Sequence, residues 1–159
     1  ERHLFHRLYE RRRVALGETA SSLAAHGSVH GLDTLWRVAT FVETAIDHEE
    51  PGSLWDIPRP AGWTLEARRA TPSDAALLAQ AVLAVNGREG LLFTVYDRAR
   101  RAKQVVCAVQ ESGMWHHISS QGLFGIYGEL REIAEDLCGE WSLYVARDPK
   151  MRIVAWQSS

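Results

Sequence analysis

Thr71-Pro72-Ser73-Asp74-Ala75-Ala76-Leu77-Leu78-Ala79-Gln80-Ala81-Val82-Leu83-Ala84-Val85-Asn86-Gly87 is the stretch on which the reading of this chain turns. Its first four residues form a helix start. Thr71 caps, Pro72 takes the first helical position, and Asp74 sits three residues past the cap, where its charge suits the positive end of the helix dipole. Asn86-Gly87 is the matching stop. Between start and stop the residues are apolar on nearly every side, so the pattern predicts a central helix buried within the fold.

Downstream, the apolar period shortens from that of a helix to that of a strand. Residues 91–96 read as a first strand, 97–102 as a charged turn and 104–110 as a second strand. Glu111-Ser112-Gly113 is a tight turn into a third strand over 115–119. Residues 130–138 form an amphipathic helix stopped by Gly139. Residues 141–146 and 153–156 close a hairpin around Asp148-Pro149-Lys150, which is expected to extend the same sheet.

Upstream, residues 1–48 read as helical. Leu4, Phe5, Leu8 and Tyr9 recur at helical spacing, with Arg7, Arg11, Arg12 and Arg13 on the other face. Residues 18–25 continue as a short Ala/Ser-rich piece ended by Gly27. Asp33 is the expected N-cap of a further helix with the stripe Leu35, Val38, Ala39, Val42 and Ile46. Between 49 and 70, Pro51, Gly52, Pro58, Pro60 and Gly62 break every period, and Trp55 and Trp63 sit among them. This predicts a long ordered loop pinned by buried indoles. The fold class is therefore α+β: N-terminal helices and a buried central helix packed on an antiparallel sheet. One domain is expected over 1–159, with a helical part at 1–48 and the central helix plus sheet at 71–159.

Composition agrees with a single packed domain. The chain has 159 residues, 46% hydrophobic and 24% charged, which excludes intrinsic disorder and collagen-like structure. Eighteen basic against twenty acidic residues leave a net charge of -2, so broad attraction to nucleic acid is not expected. Cys107 and Cys138 are too few for a disulfide framework and form no C-x-x-C pair, so neither a metal nor a cofactor is expected. No apolar run reaches the roughly 20 residues of a membrane span. A soluble protein is expected, with the cytoplasm favoured. The opening Glu1-Arg2-His3, without initiator Met or signal pattern, suits a fragment or a trimmed product.

A buried helix feeding an antiparallel sheet is one way to build a thiol active site, with the nucleophile at the helix start where N–H groups and the dipole stabilise a thiolate. On this point the stretch from Leu35 to Ser119 resembles the transglutaminase-like superfamily, including its bacterial cysteine-peptidase branch. The matching pieces are Phe41-Val42-Glu43-Thr44-Ala45-Ile46 leading to Trp55-Asp56-Ile57-Pro58, and Ser73-Asp74-Ala75-Ala76-Leu77-Leu78 closing on Gly87. The third is the hairpin 104–119, with Gly113-Met114-Trp115 at its turn. The resemblance implies a papain-like core. It also implies a Cys–His–Asp triad at positions that here read Ser73, Gln104 and Ser119. Ser, Gln and Ser supply no group that titrates near neutral pH. The leading expectation is thus a catalytically inactive, transglutaminase-like domain that binds protein or peptide. Trp55, Trp63, Trp115 and His117 are expected to line its cleft.

Two other readings of the residues stand beside it. His116 and His117 are adjacent on a strand and face opposite sides, and His117 shares a face with Trp115 and Ser119. A hydrolase using Ser73 with His117 is one alternative. Arg98, Arg100, Arg101 and Lys103 form a basic patch, and Arg7, Arg11, Arg12 and Arg13 a second. An adaptor that grips nucleic acid or acidic protein through them is the other alternative, set against plain solvated surfaces. His26 and His30 lie four apart, but Gly27 and Gly31 spoil the helix that a metal pair would need, so both read as loop residues. Cys107 inside a strand reads as an inert buried thiol, and Cys138 at a helix C-terminus as a poor nucleophile. Six tryptophans are many for this length, and an exposed one would mark a binding surface.

Overall fold

The computed structural model describes residue 23 and residues 26–51 and 57–159. The arginine-bearing segment 1–22, Trp55 and Asp56 lie outside them. After a single 3₁₀ turn at Gly27–Val29, the chain forms α1 (Leu35–Thr44), β1 (Asp47–His48), α2 (Ala61–Ala67), β2 (Arg69–Ala70) and α3 (Pro72–Val85). Then come β3 (Gly90–Asp97), β4 (Ala102–Glu111), β5 (Met114–Ser119), β6 (Gly122–Tyr127), α4 (Leu130–Leu137), β7 (Trp141–Arg147) and β8 (Ile153–Ser158). The last six strands make one antiparallel sheet in the order β6-β5-β4-β3-β7-β8. The α+β class and the extension of the sheet by the closing hairpin are both present.

α3 begins and ends as its residues dictate. The Thr71 hydroxyl accepts from the Asp74 N–H at 3.3 Å, and the Asp74 carboxylate accepts from the Thr71 N–H at 3.0 Å. Pro72 opens the helix and Asn86 closes it. Every residue from Ser73 to Leu83 is buried. The polar exception, Gln80, is used as a tie: its amide donates to the Gly90 carbonyl at 2.9 Å and the Arg147 carbonyl at 3.0 Å, joining the helix to β3 and β7. Gly90 is needed there, because a Cβ would stand 2.7 Å from Cys107 Sγ.

The sheet is sandwiched. On one face α3 and α1 pack over Cys107, Val109 and Ile118, and residues early in α3, Ala76 and Leu77, pack with Tyr96 and Val105. On the other face α4 supplies Ile133 and Ala134 against Phe93, Val106, Ala108 and Tyr144. β3, covered on both faces, is buried along its whole length.

Three expectations need correction. The cap of α1 is Thr34, whose hydroxyl accepts from the Arg37 N–H at 3.1 Å; Asp33 instead pairs with the Arg37 guanidinium at 3.1 Å. The segment 49–70 contains α2, opened by Pro60 and closed by left-handed Arg68, followed by β2 paired in parallel with β1. Proline read there as a breaker is a helix opener. Its indole Trp63 is half-buried, with the Arg59 guanidinium 3.8 Å above the ring. The strand β6 was not anticipated, because Gly122 and Gly125 give it the composition of a loop. Gly125 fits where the His116 ring leaves no room for a Cβ.

Candidate functional site

The start of α3 is anchored to the loop before α2. Asp74, fully buried, accepts from the Arg59 backbone N–H at 2.6 Å and from its guanidinium at 2.5 and 3.0 Å. The same guanidinium donates to Glu49 at 2.8 Å. The hydrogen bond to Asp74 is the largest influence raising the Arg59 pKa, with burial opposing it and Glu49 adding. A charged pair with its hydrogen-bonding positions filled holds the helix start in one geometry.

Beside this start, a cavity of about 590 Å³ opens at the end of the sheet. Pro72 forms one wall, and Lys103, Gln104 and Val105 of β4 another. Ser119, Ser120 and Gln121 run along the β5–β6 turn, and His117, Phe124 and Asp136 close the α4 side. Gln104, Ser119 and His117 therefore share one cavity. Ser73 is fully buried in the first turn of α3, next to the wall residue Pro72 but not itself part of the lining.

Strand alternation separates these groups further. Val105, Cys107 and Val109 of β4 point toward α3, and Val106 and Ala108 toward α4. Gln104 follows the second set: its amide donates to the Leu137 carbonyl at the end of α4, at 3.1 Å. His117 opposes Ala108 and stands on that same side. Ser73 and His117 are thus on opposite faces of the sheet. His116 does face α3, but it opposes Val109, at the end of β4 where α3 finishes.

His117 has an unusual setting. It is 3% exposed, its ring stacks on Phe124 at 5.0 Å and Tyr127 at 5.7 Å between centroids, and its Nδ1 has no hydrogen-bond partner. Burial lowers its pKa to about 4, against the opposing pull of Asp136. The imidazole is neutral at physiological pH. The Tyr127 hydroxyl donates to Asp136 at 2.5 Å, and burial followed by that carboxylate pushes the phenol up. Burial likewise raises the Cys107 thiol out of reach of a thiolate.

Of the other singled-out residues, Trp63 lies on α2 under Arg59, and Trp115 is half-buried against the α4-side cluster; neither lines the cavity. Arg101 and Lys103 lie 3.2 and 3.8 Å from Asp97, whereas Arg98 and Arg100 are exposed at the turn. Among the described residues, no group of His, Cys, Asp and Glu is placed to hold a metal ion. None of their helices is long and apolar enough to cross a membrane. Sequence reasoning missed Asp136 and Phe124, which come from a helix and a strand far from α3; the charged face of α4 and the glycine-rich β6 gave no local sign of either.

No family model matches the chain, and no curated protein does. Among solved structures the chain is similar to Legionella pneumophila LapG in its EGTA-treated form. The two are 14% identical, with 91% of this chain and 81% of that chain covered and a TM-score of 0.48.

Proposed function

We propose that this chain is a non-catalytic domain of transglutaminase-like architecture that binds a protein or peptide segment in the cavity at the head of α3. The observation that carries the reading is the chemistry at the start of that helix. A thiol enzyme of this layout needs a nucleophile there and an imidazole on the adjoining strand, facing it. Here the helix start holds a buried serine hydroxyl. The strand beside it offers Val105 on the α3 side and Gln104 on the other. His117, the histidine that lines the cavity, lies on the face of the sheet away from Ser73, so the two do not form the nucleophile–imidazole pair that such an enzyme needs. The helix start is instead locked by the Arg59–Asp74 pair. The cavity beside it keeps the mixed polar and apolar lining that an extended segment needs.

Two measurements test this. Treatment of the folded protein with a fluorophosphonate probe leaves Ser73 unlabelled. Selection of displayed peptides on the immobilised protein enriches sequences whose binding is lost in Ser119→Trp, which fills the cavity. Labelling of Ser73 that vanishes in His117→Ala would overturn the reading in favour of a hydrolase. Peptides that bind Ser119→Trp as well as wild type would remove the cavity from it.

A further inference from the structure

The sheet has two edges, and they are managed differently. β6 carries Gly122 and Gly125, and α1 packs on one face of it, over Leu123. The outer edge of β8 pairs with no other strand among the described residues. Its sequence, Ile153-Val154-Ala155-Trp156-Gln157-Ser158, contains no charge, proline or glycine, the devices that normally blunt an edge. Val154 is the extra residue of a bulge, which leaves Ala155 to Ser158 as the regular ladder. Val154 is 53% and Trp156 63% exposed. An uncharged edge with an exposed indole is a template for another strand.

We propose that a second copy of this chain occupies this edge, with β8 pairing antiparallel to itself about a two-fold axis at Trp156 so that the two sheets become one. Self-pairing is favoured by three features. The strand is uncharged, so a two-fold arrangement sets no like charges opposite each other. An axis at Trp156 brings the two indoles together on one face of the joined sheet, a favourable cross-strand pair. The charges flanking the strand are complementary under the same axis. Exposed Lys150 lies in the turn before β8, and exposed Glu140 precedes β7 at the opposite end of the hairpin, where β8 finishes. The antiparallel arrangement brings the Lys150 end of one copy to the Glu140 end of the other. Because the two-fold contact is isologous and uses the β8 edge of each copy once, the assembly closes as a dimer and does not continue as a fibre. This inference is independent of the cavity and of what it binds.

The test is sedimentation velocity of the chain from about 1 to about 100 µM, the range in which small interfaces associate. A dimer is expected, with an exciton signal from paired indoles in circular dichroism. Trp156→Lys should sediment as a folded monomer, its fold verified by a single cooperative thermal transition. Glu140→Lys should weaken the dimer at low salt, and the double variant Glu140→Lys/Lys150→Glu should restore it. A wild-type monomer at every concentration, a Trp156→Lys dimer, or a charge swap that restores nothing would each overturn the proposal.

Discussion

Replacing His117 with Leu removes a buried base whose protonation the fold resists, and the size of that resistance follows from its surroundings. The ring is 3% exposed, stacked against two aromatic rings and unpartnered at Nδ1, and its pKa falls from 6.5 to about 4. The unfolded chain takes up a proton on this residue near pH 6.5, and the folded chain resists until about pH 4. Between those values the unfolded state binds more protons, so acid favours unfolding. The stability this histidine supplies by staying neutral is complete above pH 6.5 and is lost as the pH falls toward 4. A shift of this size is worth about 3 kcal/mol. Urea unfolding of wild type and His117→Leu at a series of pH values measures it. The wild-type stability should fall about 3 kcal/mol further than that of the variant between neutral pH and pH 4, whatever their difference at pH 7. Contributions common to both proteins cancel in the difference. Asp136→Asn should steepen the wild-type loss, since that carboxylate is the group pulling the His117 pKa back up. Parallel curves for wild type and His117→Leu would show that the imidazole is solvated, and would refute the burial argument.

Asp74→Ala removes the capping carboxylate and leaves the Arg59 guanidinium without its buried partner. A loss of about 2–4 kcal/mol in thermal or urea unfolding is expected, reduced from that of a fully buried pair because Arg59 is one-third exposed. The triple variant Ser73→Cys/Gln104→His/Ser119→Asp should show the same thiolate titration, read by ultraviolet absorbance, as Ser73→Cys alone. Position 104 turns its side chain toward Leu137 and away from α3. A thiol pKa depressed only in the triple variant would mean that the three positions meet.

Much of this architecture is written locally. The cap, proline and asparagine–glycine stop of α3 act over a few residues, and the helix runs from Pro72 to Val85 as they require. The period-2 strands and their turns are local as well, and β3, β4, β5, β7 and β8 fall where alternation puts them. The shape of α2 and the existence of β6 were hidden for a shared reason. Proline and glycine have local preferences that read as loop, while contacts with distant partners decided otherwise: Arg59 with Asp74 across the start of α3, and the His116 ring over Gly125. The candidate site depends still more on tertiary structure. Sequence order can place Ser73, Gln104 and Ser119 at one end of a sheet. The face to which each side chain turns depends on strand register, and a single residue reverses it. That register puts Gln104 and His117 beneath α4, on the face of the sheet away from Ser73, and surrounds His117 with Phe124, Tyr127 and Asp136 from elements that no local pattern connects to it.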